Sequence, residues 1–238
     1  MAPATNDRTV KGKKAVVLIS GGMDSALCAA IAARDGYSIA ALHLDYGQRT
    51  QEKELDCFNS IAAHYGAVET LVVDGRYFSS IGGSSLTDSS IAIGKADPGS
   101  AAIPSTYVPF RNGNILAIAV SWAEVIGAEA IFIGAMQLDS SGYPDCRREF
   151  FEAFSAAVNL GTKPETRIAI ITPLMDMTKK DIVTEGMKLG VPFDLTWSCY
   201  QDSDTACGVC DSCALRLRGF AKAGVEDPIK YKVKPSYL

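Results

Sequence analysis

The chain has 238 residues, 47% of them hydrophobic and 21% charged, with a net charge of −4; this is enough for one large domain with a full core, or for a domain plus a small appendage. The acidic balance and the lack of a basic face argue against a dedicated nucleic-acid binder. No apolar run is long enough to cross a bilayer, and Met1 to Lys14 is polar and basic, without the apolar centre of a secretory signal. The expectation is a cytoplasmic protein.

In chain order, Ala15 to Ile19 is a continuous apolar run with β-branched residues, read as a buried strand, and a polar turn from Ser20 to Ser25 follows it. Asp24 to Arg34 has helical periodicity and ends at Gly36. Ile39 to Leu44 is a second strand, Gln51 to Tyr65 a second helix closed by Gly66, and Val68 to Val73 a third strand. From Tyr77 to Pro104 glycine, serine and proline are frequent and no period persists, which predicts a long surface excursion that orders on substrate binding. Regular elements resume with a helix over Asn114 to Ile126, a strand over Ala130 to Gly134 and a helix over Arg148 to Val158. A short strand over Ile168 to Ile171 and a helix over Lys179 to Leu189 complete the series. Thr178 is the expected N-cap of that last helix, with Asp181 closing a capping box. Strand–helix alternation predicts an α/β fold with a doubly wound parallel sheet. The expected division is a nucleotide-binding domain over residues 1–190 and a small C-terminal segment over 191–238.

The string Ser20-Gly21-Gly22-Met23-Asp24-Ser25 joins a buried strand to a helix start. Glycines let backbone amides close on an anion, the helix N-terminus adds donors and a favourable dipole, and the two serines can donate hydroxyls. It is neither a Walker A loop, which ends in Gly-Lys-Ser/Thr, nor the dinucleotide fingerprint, whose glycine spacing differs. His43, flanked by apolar residues, reads as a core or pocket-wall residue rather than a base.

Four cysteines, Cys199, Cys207, Cys210 and Cys213, fall within 15 residues. Disulfides are uncommon in a reducing compartment, and two-residue spacings let thiolates converge on one tetrahedral ion. Four thiolates leave no open coordination position, so the expected metal is a structural zinc, with an iron–sulfur cluster as the chemical rival. Cys28 and Cys57 read as small buried hydrophobes, and Cys146 as a packing residue.

The S-G-G-x-D-S turn resembles the PP-loop of the ATP pyrophosphatases, which bind the pyrophosphate end of ATP and release AMP. Three further strings narrow the resemblance: Val108-Pro109-Phe110-Arg111-Asn112, Gly142-Tyr143-Pro144-Asp145-Cys146-Arg147 and Leu195-Thr196-Trp197-Ser198-Cys199-Tyr200. With the cysteine set they look like the 7-cyano-7-deazaguanine (preQ0) synthase family, over roughly Ala15 to Tyr231. That resemblance implies a HUP-like fold and the conversion of 7-carboxy-7-deazaguanine, ammonia and ATP to the nitrile, in queuosine biosynthesis. The acid and then the amide would each be adenylated, and a relative stopping at the amide is the alternative. It implies ATP at Ile19, Ser20, Gly21, Gly22, Met23, Asp24, Ser25, Ala26, Leu27, Cys28 and Ala29, and at Asp45, Tyr46 and Gln48 after the second strand. Asp24, Ser25, Arg111 and Lys179 would be the catalytic group, with Asp24 helping to hold Mg²⁺, since a carboxylate beside phosphates requires a cation between them. Arg111, Asp139, Tyr143, Asp145 and Arg147 would hold the deazapurine, and the four cysteines the zinc. No membrane or direct nucleic-acid partner is implied, and a homodimer is. The chain departs from the family pattern at Ala26, where threonine is frequent, and at Gly134-Ala135-Met136, where asparagine is.

Overall fold

In a computed structural model, residues 12–94, 102–138 and 142–235 are described. Five parallel strands, β1 (Lys14–Leu18), β2 (Ser38–Asp45), β3 (Glu69–Asp74), β4 (Ala130–Phe132) and β5 (Ala169–Ile171), form one sheet in the order β3-β2-β1-β4-β5. The register is regular, with Val16 beside Ala40 on one side and Ile131 on the other. Ala15 to Val17 are fully buried, as expected of a central parallel strand covered on both faces. The chain leaves β1 towards β2 and later returns to β4 on the opposite side, so the order reverses at the carboxyl ends of β1 and β4. A crevice opens at such a point.

Seven helices are described: α1 (Met23–Arg34), α2 (Gln51–His64), α3 (Tyr77–Ile81), α4 (Arg111–Ile126), α5 (Arg148–Gly161), α6 (Lys179–Leu189) and α7 (Asp211–Ala223). Helix α1 is buried almost all round because it lies between the sheet and α6, and its Ala26, Leu27, Cys28 and Ala29 have no exposed surface. They share a core with Ile39, Ala41, Phe58, Phe132, Phe193 and Phe220. The other face of the sheet packs Val16, Leu18, Leu42 and Ile131 on Leu116 and Ala119 of α4 and on Phe151 of α5. Thr178 and Asp181 form the expected capping box at the start of α6.

Helix α7 was not read from the sequence, and two other elements depart from the expectation. Helix α4 begins at Arg111, three residues before the expected Asn114, because Phe110 adopts a left-handed conformation (φ 55°) and a buried carboxylate, Asp145, caps the next turn through the Asn112 N–H at 2.8 Å. Among the described residues, the excursion after β3 opens with α3 and is anchored over 85–91, where the Arg49 guanidinium donates to the carbonyls of Ser85, Asp88 and Ile91 at 2.9, 3.2 and 2.7 Å. Local periodicity misses this support because it comes from a residue 36 or more positions away.

Candidate active site

A cleft of about 270 Å³ occupies the crevice at the ends of β1 and β4. Ile19, Ser20, Gly22, Met23, Asp24 and Ser25 form one wall, and Gly134, Ala135 and Met136 lie beside them. Gly21 makes the turn possible. Its φ is +88°, and a Cβ there would sit 2.7 Å from the Glu54 carbonyl. Its own carbonyl accepts the Trp197 N–H at 2.8 Å, tying the loop to the C-terminal segment. Gly134 packs closely on the same turn, since a Cβ there would come within 3.1 Å of the Asp24 backbone.

The Ser25 hydroxyl donates to the Gly22 carbonyl at 2.9 Å and receives the Ser20 N–H at 3.2 Å. The first intrahelical bond of α1 is Ala26 N–H to Gly22 C=O at 3.1 Å. The amides of Met23, Asp24 and Ser25 therefore lie in the turn whose donors no helical carbonyl can satisfy. An anion settles there without backbone rearrangement.

Cationic side chains enter from two helix starts. Lys179, the first residue of α6, donates to both carboxylate oxygens of Asp24 at 2.8 and 2.7 Å. Gly219 of α7 permits this, because a Cβ there would stand 2.9 Å from the Lys179 backbone. Arg111, the first residue of α4, donates to the Tyr46 hydroxyl at 2.9 Å and lies over the same ring. Burial raises the Tyr46 hydroxyl well above its ordinary pKa, which keeps it a neutral acceptor. His43 is also neutral, because burial lowers its pKa. Its Nδ1 lies 2.9 Å from the Ile19 carbonyl, an acceptor, so Nδ1 carries the proton.

The four cysteines converge as expected. All four are buried, and their sulfurs lie within 4.8 Å of one another. The Cys207–Cys213 separation of 3.9 Å is close to the ~3.8 Å between thiolates on a tetrahedral zinc with ~2.3 Å bonds. Backbone N–H groups of Gln201, Asp202 and Cys207 point at the Cys199 sulfur, and those of Val209 and Cys210 at Cys207. Such donors stabilise thiolates, so the residues present fit a four-thiolate metal site. Gly208 (φ +81°) lets the segment around Val233 cross the turn, since a Cβ there would collide with the Val233 carbonyl.

Comparison with known proteins follows the same lines. The family described as queuosine biosynthesis protein QueC matches residues 14–224. The chain belongs to the QueC family. It is 57% identical over 225 residues to a 7-cyano-7-deazaguanine synthase of Chlorobaculum tepidum, covering 94% of this chain and 99% of that one. A synthase of the same name from Chlorobium phaeobacteroides is 59% identical, covering 94% of this chain and 100% of the relative. Among solved structures, a 4-thiouridine synthetase–RNA complex with bound ATP is 20% identical with a TM-score of 0.48, covering 82% of this chain and 44% of that one.

In this QueC chain the family strings meet around the cleft. The Asn112 side chain donates to the Asp145 carbonyl and the Cys146 sulfur at 3.0 and 3.2 Å, locking one string onto another. Arg111, Tyr143, Cys146, Lys179, Trp197, Ser198 and Tyr200 all line the cleft.

Other expected site residues are placed elsewhere. Ala26, Leu27, Cys28 and Ala29 turn into the core because α1 is covered on every side. Asp45 accepts the Gly47 N–H at 3.1 Å, and Gln48 is buried between Tyr46 and Glu54. Asp145 is 4% exposed and committed to the start of α4, so it does not face a ligand edge. Arg147 is exposed outside the cleft, and Asp139 lies outside the described residues. Burial pushes the Cys146 thiol up to about 11, so it stays protonated and serves packing rather than nucleophilic attack.

Two charged residues of the cleft, Glu54 and Arg216, were not singled out from the sequence. Glu54 had a legible signal, a charge four residues before Phe58 within the apolar stripe Phe58, Ile61, Ala62 of α2.

Proposed function

We propose that this chain joins ATP, ammonia and 7-carboxy-7-deazaguanine to give 7-cyano-7-deazaguanine, AMP and pyrophosphate, as a step of queuosine biosynthesis. The reading is supported above all by the Ser20–Ser25 turn, with its open amides, Lys179 and Asp24 at one corner of a single cleft. The acid oxygen attacks the α-phosphorus, pyrophosphate leaves, and ammonia opens the acyl adenylate to the amide. The amide oxygen then attacks a second ATP, and AMP departs as the remaining N–H proton is lost and the nitrile forms. Both rounds need the same help: an oxygen held in line with phosphorus and charge neutralised on the departing pyrophosphate.

The loop amides, with the Ser20 and Ser25 hydroxyls, grip the pyrophosphate. Lys179, now on Asp24, is close enough to move to a phosphate oxygen, which frees the Asp24 carboxylate to help hold Mg²⁺. Arg111 faces the substrate from the opposite side, and Tyr46, Tyr143 and Tyr200 supply aromatic walls for a planar ring. The cysteine cluster takes zinc in a structural role and keeps Trp197 on the loop. The segment from residue 191 onward is the zinc-binding unit of a cytoplasmic homodimer that acts on a free small molecule.

Incubation with the acid, ammonium and Mg-ATP, followed by mass spectrometry, tests this directly. Nitrile with two AMP per product supports it, and accumulation of amide with one AMP would replace it with an amide ligase.

A further inference from the structure

Among the described residues the cleft holds two carboxylates, Asp24 and Glu54. Asp24 is bound by Lys179, whereas Glu54 takes part in no ion pair among the described residues. Two neutral donors hold it instead. The Thr50 hydroxyl donates to Oε1 at 2.8 Å and the Gln48 side-chain amide donates to Oε2 at 2.9 Å. Both donors are themselves fixed: Gln48 is 3% exposed and accepts the Tyr46 N–H at 3.0 Å, while Thr50 is 2% exposed. The carboxylate plane is thereby set, and the group cannot swing out to a surface cation.

Each carboxylate oxygen has about two acceptor positions, and each has filled one. One acceptor position is left on each oxygen of a carboxylate that lines the cleft. A phosphate or carboxylate would be repelled by it. A lone ammonium would engage it unspecifically. The matching partner is a planar group with two adjacent N–H donors, the arrangement that also makes guanidinium–carboxylate pairs bidentate. Burial pushes the Glu54 carboxyl up to about 7, as expected of a charge whose compensation arrives with a ligand. Tyr46, Tyr143 and Tyr200 line the same cleft and offer flat surfaces to a ring.

We propose that the two free acceptor positions of Glu54 read the ring N–H and the exocyclic amino group of the deazapurine, making Glu54 the residue that selects a 2-amino-substituted ring. This rests on the substrate proposed above, and it replaces the recognition role first expected of Asp145.

Calorimetric binding to the full chain of two ligands, 7-carboxy-7-deazaguanine and its analogue lacking the 2-amino group, tests the assignment. Wild type is expected to bind the analogue about tenfold or more weakly, since a buried acceptor then stays unpaired. Glu54→Gln should bind the full ligand about 10- to 100-fold more weakly, with the two ligands within about twofold of each other and ATP affinity unchanged. A Glu54→Gln variant that keeps the wild-type discrimination, or that raises only the KM for ammonium, overturns the proposal. Should the variant not fold, equal binding of the two ligands by wild type overturns it alone. Wild type binding neither ligand would instead remove the substrate assignment on which the inference rests.

Discussion

The two sides of the cleft are built on different physics. The wall formed by β1, the Ser20–Ser25 turn and α1 stands on a large apolar core, where Val17, Leu27, Ile31 and Phe58 are nearly or fully buried. The facing wall, from Trp197 to Tyr231, has a small cluster dominated by cysteines. It is held by the four-cysteine cluster and by a buried ion pair: Arg216 donates to both Asp227 oxygens at 2.8 and 2.9 Å and to the Thr196 hydroxyl at 2.6 Å. The Tyr231 hydroxyl adds a bond to Asp227 at 2.7 Å. One wall should therefore survive loss of its ligand and its charges, while the other should not.

Removing the metal gives the largest contrast. Cys210→Ser, or a chelator, should abolish stoichiometric zinc and lower Tm steeply, because binding energy of the order of 10 kcal/mol in such sites is folding energy. Trp197 fluorescence should change before the far-ultraviolet signal of the sheet. Simultaneous loss of both signals would make the two walls one cooperative unit. On the nucleotide side, Asp24→Asn should lower AMP formation by about 10³-fold with Tm within a few degrees of wild type. A variant that unfolds instead would place Asp24 among the structural residues.

Asp227→Ala should destabilise by about 3–5 kcal/mol in denaturant titration, since it strands a guanidinium that is 1% exposed. A loss under 1 kcal/mol would mean that Arg216 finds another partner.

The pH dependence separates the walls more finely. Glu54, at about 7 in the folded chain against an ordinary 4.5, binds its proton more tightly folded than unfolded. Its contribution to stability is therefore full below about pH 4.5 and is lost as pH rises through 7. Glu54→Gln should gain roughly 1–3 kcal/mol relative to the wild-type chain, without ligand, between pH 5 and pH 8. Parallel stability curves would contradict the shift. The smallest effect is Thr178→Ala, about 1 kcal/mol by loss of the α6 cap.

The same contrast explains what the sequence revealed. Periodicity located every strand, because a parallel sheet buries contiguous apolar runs such as Ala15 to Ile19. The Ser20–Ser25 turn and the cysteine spacing were legible because their ligands are local in sequence. Asp145 was not, since its partner lies on another element: it meets Asn112 across 33 residues. From the string alone an acid in a family motif looks like a substrate contact, and only the fold shows it capping α4. Arg216 and Asp227 were missed for a related reason, because a charge on a C-terminal helix resembles solvated surface until its burial is known.

In the proposed reaction an oxygen of the bound acid attacks the innermost phosphorus of ATP at the Ser20–Ser25 turn. Acid labelled with ¹⁸O in its carboxylate, turned over in unlabelled water, should leave one label in each AMP and none in pyrophosphate. Label recovered in orthophosphate, with ADP as the nucleotide product, would contradict the account.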